Sequence, residues 1–368
     1  MRVLISGGGS GGHVFAALAV AQALRARDPD APILLVGRTG GMEEEAVPAA
    51  GFDLETIPVR GLNRDVLWPN LRLPDVLPRA LGLGLGVVDR FRPDVVLGVG
   101  AYAMVPCGWA ALRRGVPYVL QVSEPDGLAH RMLKQGAAAA CLTSAGDVAA
   151  FRVRRAVVTG YPIRPGFRRR TPEVPPRRLL VIGGSFGARR LNQLVWAALD
   201  QLLADFAEVV HLTGPQGGAE GARHGRAGYR AISTNTDIPR LMAEADLVVC
   251  RAGSGTCAEV TAVGLPAILV PGTFGGRHQE RNADRLVQAG AAMRIADREL
   301  SVNVLRSHLR ALSPTRLRSM AEASAALGRF DAAERIVDVL EETVERAGQM
   351  PLGRVRASAS VLAGLLRR

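Results

Sequence analysis

Short apolar runs alternate with longer amphipathic stretches along the chain. Runs rich in Val, Leu and Ile are typical of buried strands, and the longer stretches have helical spacing. Because strand–helix alternation favours parallel sheets with right-handed crossovers, we predict an α/β fold. The first half of the chain predicts strands at Val3–Ser6, Ile33–Val36, Leu54–Pro58, Asp94–Gly98, Tyr118–Val122 and Ala156–Thr159, and helices such as Val14–Arg25, Leu83–Phe91 and Met104–Arg114.

A proline-rich segment interrupts this alternation, which then starts again. Prolines cannot continue a helix or a central strand, so we interpret residues 163–176 as a linker. On both sides of it, a strand leads into a glycine turn and a helix. This duplication, in a chain of 368 residues, predicts two Rossmann-like domains at 1–162 and 177–335 that face each other across a cleft.

The second half follows the same pattern and ends in helices. Residues 336–348 form the end of a C-terminal helix, for which packing back on the N-terminal domain is one option. The tail at 349–368 holds small, apolar and Arg residues, and a weak amphipathic helix and a disordered end both remain open. The predicted elements are strands Arg178–Ile182, Val209–Leu212, Tyr229–Ile232, Leu247–Cys250 and Ala267–Val270, and helices Ala188–Leu203, Val302–Leu312, Pro314–Leu327 and Asp331–Glu345.

Composition narrows the classes of partner. The formal net charge is +12, and Lys134 is the only lysine. Such basicity suits a polyanion or an anionic membrane surface, although it can also reflect the source genome. Zinc-finger spacing and aromatic–basic interleaving are absent, so we expect no nucleic-acid partner. No apolar run reaches the roughly 20 residues that span a bilayer, and the chain begins directly on a strand, so we expect no signal peptide and only peripheral membrane contact.

The first glycine turn fits G-x-G-x-x-G through Gly7, Gly9 and Gly12, between a strand and a helix. Backbone N–H groups at such a helix start can hold phosphate or developing negative charge. A dinucleotide site usually has an acidic residue after the second strand, where this chain has Arg38. Arg38 suits a 2′-phosphate, which keeps an NADP oxidoreductase as an alternative. His13, at the start of the helix, is a candidate for proton transfer.

The second glycine turn, Gly183–Gly187, also fits the G-x-S-x-G pattern of a hydrolase nucleophile. Chain order permits a triad of Ser185, Asp246 and His278. We favour a phosphate contact for Ser185, because its turn repeats the first one.

A third glycine turn carries the strongest signal. The strand ending at Cys250 leads into a turn and a helix that contains Glu259. Backbone N–H groups there can hold a pyrophosphate, while a carboxylate can accept two ribose hydroxyls. Further on, Gln279 and Asn282 are three residues apart and share a helix face, where two amides can recognise sugar hydroxyls.

Taken together, these motifs resemble the MurG family of bacterial glycosyltransferases, which convert lipid I into lipid II. The resemblance runs in order from about Arg2 to about Ala347. It implies a GT-B architecture and inverting, metal-independent transfer of N-acetylglucosamine from UDP-N-acetylglucosamine to the C4 hydroxyl of an undecaprenyl-pyrophosphate-linked acceptor, without a cofactor. It rests on Gly8–Phe15, Pro93–Gly98, Gly183–Ser185 with Gly187-Ala188, Cys250-Arg251 with Gly253, Gly264–Pro266, and Gln279 with Asn282-Ala283.

The resemblance also implies roles for single residues. His13 would be the general base, with Glu124 or Asp126 as substitutes, and no Asp-x-Asp stands at a strand end to hold a metal. Gly100, Ala101 and Tyr102 would lie on the acceptor side. The implied donor-binding residues are Ser10, Gly11, Gly12, Arg164, Ser185, Ser254, Gly255, Thr256, Glu259, His278, Gln279 and Asn282.

The sequence departs from the family mainly on the acceptor side. The usual His-Glu-Gln-Asn reads Gln121-Val122-Ser123-Glu124, and the usual Gly-Gly-Tyr reads Gly100-Ala101-Tyr102. A transferase with another lipid or small-molecule acceptor, and a non-catalytic protein that binds a UDP-sugar, therefore remain alternatives. Leucines and arginines over Leu62–Leu83 suit a lipid-facing surface, although they also suit an ordinary packed helix. The implied location is the cytoplasmic face of the bacterial membrane.

Overall fold

The computed structural model describes residues 1–59, 73–233, 237–273 and 277–349, and for residues 73–75 it describes the backbone alone. Half of the predicted lipid-facing stretch and nearly all of the predicted basic tail therefore lie outside the described residues. Within the described part of the chain, no helix combines the length and the apolar character needed to cross a membrane. The chain divides into two compact units, Met1–Pro162 with the chain from Asp331 onward, and Ile163–Phe330.

The first unit is built on a seven-stranded sheet in the order β3-β2-β1-β4-β5-β6-β7. Every neighbouring pair in it is parallel. Six helices in the described part of the first 162 residues accompany this sheet. The strands are β1 (Val3–Gly7), β2 (Ile33–Arg38), β3 (Asp53–Ile57), β4 (Val95–Gly100), β5 (Tyr118–Val122), β6 (Ala139–Leu142) and β7 (Ala156–Val158), and the helices are α1 (Gly11–Arg27), α2 (Glu43–Ala49), α3 (Leu73–Phe91), α4 (Met104–Arg114), α5 (Leu128–Leu133) and α6 (Gly146–Ala150).

The second unit repeats this plan with a six-stranded sheet in the order β10-β9-β8-β11-β12-β13. Its neighbouring strands are likewise all parallel. The strands are β8 (Arg178–Ile182), β9 (Glu208–Leu212), β10 (Tyr229–Ile232), β11 (Leu247–Cys250), β12 (Ala267–Leu269) and β13 (Ala292–Arg294), and the helices are α7 (Arg189–Ala197), α8 (Leu199–Asp205), α9 (Gly218–Arg223), α10 (Ile238–Glu244), α11 (Ser254–Val263), α12 (His278–Gln288), α13 (Val302–Arg310) and α14 (Pro314–Leu327).

The last described helix, α15 (Ala332–Gly348), belongs to the first unit. Its Ile336 and Leu340 are fully buried in the same apolar cluster as Val3 and Ile5 of β1. At its surface, Arg27 of α1 pairs with Asp338 and Glu341 at 2.7 Å each. Apolar packing therefore ties α15 to the first sheet.

The predicted α/β class and the duplicated parallel sheets are confirmed. Two strands, β6 and β13, were not predicted: β6 consists of Ala-Ala-Cys-Leu within an alanine-rich stretch, and β13 has only three residues. The helix predicted over Ala188–Leu203 is interrupted at Ala198, between α7 and α8.

The segment predicted as a linker packs on the second unit. Asp246, at the start of β11, is almost fully buried and accepts hydrogen bonds from the backbone N–H groups of Glu173, Arg177 and Arg178 at 2.9–3.0 Å. Arg170 pairs with the same carboxylate. A single buried carboxylate thus fixes the chain that leads into β8.

Candidate functional site

The functional segments of each unit lie where its strands end. In the first sheet, β1, β4 and β5 are neighbours and parallel, so the turns after them meet at one edge. In the second sheet, β8 and β11 have the same relation. Strand order reverses between β1 and β4 and between β8 and β11, which is where α/β sheets bind ligands.

His13 and Ser10 form the centre of the first unit's edge. The Oγ of Ser10 lies 2.9 Å from Nδ1 of His13. The imidazole packs against the backbone of Gly100, where a Cβ atom would lie 2.4 Å from Cδ2 of His13. The hydroxyl of Tyr161 donates to the carbonyl of Gly12. The structure therefore brings Ser10, Gly12 and His13 together with Gly100 of the predicted acceptor-side turn.

The turn after β4 departs from the family pattern at a strained position. Ala101 has a φ of +59°, in the left-handed region that favours glycine. An alanine in this conformation costs about 1–2 kcal/mol. Half-buried Tyr102 follows it, just before α4.

The turn after β5 holds the two carboxylates considered as substitute bases. Glu124 is half-buried and Asp126 is exposed. Next to them, sequence reasoning missed His130, which is buried with Nε2 at 3.0 Å from the carbonyl oxygen of Gln121. Burial lowers the pKa of His130 to about 4, and the nearby His13 contributes to this shift. His130 is therefore a neutral imidazole at neutral pH.

The first glycine turn encloses a carboxylate that sequence reasoning also missed. Glu43, the first residue of α2, is 1% exposed and accepts hydrogen bonds from the N–H groups of Gly9 and Arg38. A buried negative charge in this turn opposes a ligand pyrophosphate at Gly9. The geometry therefore counts against the NADP alternative that was based on Arg38.

The structure of the second unit rules out a hydrolase triad of Ser185, Asp246 and His278. Ser185 is exposed in the turn after β8. Asp246, by contrast, pairs with Arg178 at the opposite end of that strand. The five residues of β8, at about 3.3 Å each, separate the two side chains. Ser185 remains compatible with a phosphate contact.

Helix α11 presents unpaired backbone donors at its start. Gly253 precedes it without a side-chain cap, and the first N–H to bond back within the helix is that of Cys257, to the carbonyl of Gly253 at 2.9 Å. The N–H groups of Ser254, Gly255 and Thr256 are therefore available to an anion, and the helix dipole favours negative charge at the same place.

Two predicted donor contacts, Arg164 and Glu259, pair with each other. Nη2 of Arg164 lies 3.3 Å from Oε1 of Glu259, and the side chains are only 16% and 12% exposed. Burial raises the pKa of Glu259, and the Arg164 charge partly offsets the shift. The structure thus holds a cation and an anion together beside the start of α11.

The two amides of α12 are partly used by the protein itself. Oε1 of Gln279 accepts from the N–H of Gly272 at 2.8 Å, and Nδ2 of Asn282 donates to Ala252 and Ser254 at 3.0 and 3.1 Å. The Asn282 bonds fix the turn before α11, and the Gln279 bond fixes the turn after β12. They leave Nε2 of Gln279 and Oδ1 of Asn282 for a ligand, while His278 is half-buried at the start of α12.

A buried polar network lies beneath the second glycine turn. His211 of β9 contacts Tyr229 Oη at 3.0 Å and Asn192 Oδ1 at 3.1 Å. Asn192 in turn donates to the carbonyl of Thr213 at 2.8 Å, and that carbonyl lies where a Cβ of Gly187 would be. Burial lowers the pKa of His211 to about 4, so the network holds a neutral imidazole.

Family models match most of the chain. Residues 3–134 match the N-terminal domain of glycosyltransferase family 28, and residues 178–337 match its C-terminal domain. The two matches cover β1–β5 of the first sheet and all of the second sheet.

Curated relatives agree with the family models. The UDP-N-acetylglucosamine–N-acetylmuramyl-(pentapeptide) pyrophosphoryl-undecaprenol N-acetylglucosamine transferase of Desulforudis audaxviator is 38% identical over 370 residues, which is 93% of this chain and 98% of that protein. The protein of the same name from Anaeromyxobacter sp. (strain K) is 38% identical over 371 residues, covering 97% and 96%.

Solved structures share the fold. MurG of Acinetobacter baumannii superposes with a TM-score of 0.74 at 25% identity, over 93% of this chain and 99% of that one. A putative UDP-N-acetylglucosamine 2-epimerase from Listeria monocytogenes gives a TM-score of 0.69 at 14% identity, over 95% and 99%. The second likeness shows the fold alone, so the reaction class follows from the 38% identical transferases.

Proposed function

The chain belongs to glycosyltransferase family 28, and we propose that it transfers N-acetylglucosamine from UDP-N-acetylglucosamine to the C4 hydroxyl of a lipid-linked N-acetylmuramoyl peptide, in peptidoglycan synthesis. The observation that carries the proposal is the start of α11, with its unpaired N–H groups and the Arg164–Glu259 pair, in a chain 38% identical to transferases of that name.

The second unit is the proposed donor site. The N–H groups of Ser254, Gly255 and Thr256 suit the diphosphate, and the Glu259 carboxylate suits the ribose hydroxyls. Arg164 would turn from Glu259 to the diphosphate when the donor binds. The Nε2 donor of Gln279 and the Oδ1 acceptor of Asn282 would then recognise the sugar.

His13 is the proposed general base. The Oγ of Ser10 lies 2.9 Å from its Nδ1. In the tautomer in which Nδ1–H donates to the Ser10 hydroxyl, Nε2 is the basic nitrogen. The C4 oxygen of the acceptor attacks the anomeric carbon as its proton passes to His13. The bond to UDP breaks with inversion, and Arg164 with the α11 N–H groups stabilises the charge that UDP gains.

The first unit is the proposed acceptor side, at the cytoplasmic face of the membrane. On α3, Leu77 and Leu83 are each 42% exposed, and Arg79 is exposed between them. Apolar side chains beside a cation suit an anionic lipid surface. The net charge of +12 favours the same contact.

The test is UDP release from UDP-N-acetylglucosamine with and without a short-chain lipid I analogue, in EDTA. We expect release that requires the analogue and persists without free metal. Tight UDP binding without release would contradict the proposed acceptor and favour another acceptor or a non-catalytic role. Loss of release in EDTA would contradict the metal-independent mechanism.

His13→Ala tests the base. A positioned base contributes about 10²–10⁴ in rate, so we expect kcat to fall by that factor while the Kd for UDP is unchanged. Replacing His308, a half-buried histidine of α13 that contacts the carbonyl of Val304, is the control. Nearly full turnover by the His13 variant would mean that another group is the general base.

A further inference from the structure

Glu43 is a buried carboxylate that accepts hydrogen bonds from backbone N–H groups. Its Oε1 and Oε2 lie 3.2 and 3.3 Å from the N of Gly9, and Oε1 lies 2.7 Å from the N of Arg38. Among the described ion pairs, none includes Glu43. Because burying an anion is costly unless it is hydrogen-bonded, these donors account for its presence.

Glycines from three segments make room for this carboxylate. A Cβ at Gly8 would lie 2.3 Å from Oε1 of Glu43, one at Gly37 would lie 2.5 Å from its Cγ, and one at Gly41 would lie 2.3 Å from its Oε2. Gly37 has an ordinary φ, so space rather than conformation requires glycine there. Three segments therefore leave room for the Glu43 side chain: the turn after β1, the end of β2 and the turn before α2.

We propose that Glu43 serves as the built-in anion of the first glycine turn and is the positioning residue for His13. Its carboxylate takes the place at Gly9 where such turns hold a ligand phosphate. The turn is then fixed before any substrate arrives, and substrate phosphates bind to other groups. The part of this inference that concerns turnover rests on the proposed function.

A hydrogen bond, a peptide bond and a second set of hydrogen bonds connect the carboxylate to the base. Gly9, held by Glu43, precedes Ser10. The carbonyl of Ser10 accepts from the N–H groups of His13 and Val14 at 3.0 and 3.1 Å, and its Oγ contacts Nδ1 of His13 at 2.9 Å. A shift of Gly9 therefore moves the hydrogen-bond partner of His13. Misplacement of a reacting group by about 1 Å can reduce the rate about 10²-fold.

The test combines Glu43→Ala with added formate. We expect kcat to fall about 10²-fold with an unchanged Kd for UDP, and formate to restore turnover by occupying the vacated carboxylate site. Glu43→Met should also lose turnover, because its side chain fills the same space without a carboxylate to accept from the N–H groups of Gly9 and Arg38, and formate should not restore it. Glu45→Ala, an exposed glutamate of the same helix, is the matched control.

A second readout does not depend on activity. Formate should raise the Tm of Glu43→Ala but not of the wild type or Glu43→Met, and this arm remains informative if the chain fails as a transferase. Wild-type kcat in Glu43→Ala, or no effect of formate on its Tm, would overturn the proposal. So would a loss of UDP affinity with kcat unchanged. If Glu43→Ala does not fold, wild-type kcat in Glu43→Met would overturn it instead.

Discussion

Replacing Glu259 by alanine should weaken UDP binding through the ribose. In the free protein this carboxylate is mostly buried and lies 3.3 Å from Arg164. Donor binding would exchange that contact for the 2′- and 3′-hydroxyls, while Arg164 moves to the diphosphate. The variant loses the hydroxyl contacts and keeps the arginine.

The expected loss follows from the bonds exchanged. Two hydrogen bonds to a carboxylate contribute about 1.5–3 kcal/mol each. Part of this gain offsets the ion pair that binding breaks. We expect a net loss of about 2 kcal/mol, which corresponds to a Kd for UDP about 30-fold higher.

Calorimetry with UDP and with 2′,3′-dideoxy-UDP measures the contribution of the contact between Glu259 and the ribose hydroxyls. The wild type should bind the dideoxy ligand about 30-fold more weakly than UDP, and Glu259→Ala should not distinguish the two. Glu299→Ala, at a 57% exposed carboxylate of the same unit, is the control and should behave as the wild type. A variant that binds UDP normally, or that still prefers UDP over the dideoxy ligand, would refute the assignment.

The pH dependence of the same measurement gives a second check. Burial raises the pKa of Glu259, so this carboxyl takes up a proton at a higher pH than an ordinary glutamate. UDP affinity should therefore fall as the pH falls through that raised pKa. Glu259→Gln should show a weaker dependence over the same range, and an unchanged slope would contradict the role.

Three further predictions concern stability and reactivity. Burial lowers the pKa of His211 to about 4, against 6.5 in the unfolded chain, so the unfolded chain takes up a proton at a higher pH than the folded chain. The free energy of unfolding, measured in urea, should therefore fall by up to about 3 kcal/mol between pH 6.5 and pH 4. This dependence on pH should be weaker in His211→Asn. Leu340→Ala, in the buried face of α15, should cost about 2–5 kcal/mol, whereas Leu327→Ala at a 39% exposed position should cost little; equal effects would contradict the packing of α15. Burial raises the pKa of three thiols to about 12, so thiol reagents at pH 8 should modify them only after denaturation, and labelling of the native protein would contradict their burial. These thiols are Cys107, Cys141 and Cys257.

The sequence predicted the fold well because its signals are local. A run such as Arg178–Ile182 followed by glycines specifies a buried strand and a turn without knowledge of the rest of the chain, and the structure places β8 at those residues. The short strand β13 has too few residues to show a period, and only its pairing with β12 defines it. The sequence therefore missed a strand that is defined only by its pairing with another part of the chain.

The residues of the candidate sites also fall into two groups, those that the local sequence predicts and those that it does not. Glycine turns and helix starts are contiguous in sequence, so Ser10, Ser185 and the start of α11 could be located by reading the chain. The partners that set their chemistry are remote: Glu43 lies 34 residues from Gly9, and Arg164 lies 95 residues from Glu259. Nothing in a single sequence states that such residues meet, because tertiary packing brings them together.

The central claim is transfer of N-acetylglucosamine to a lipid-linked acceptor with inversion. The most direct measurement is the structure of the product formed from UDP-N-acetylglucosamine and a short-chain lipid I analogue, by mass spectrometry and NMR. We predict an acceptor heavier by one N-acetylhexosamine, joined at C4 of the muramoyl sugar through a β linkage. An unchanged acceptor, or a sugar joined through an α linkage, would contradict the account.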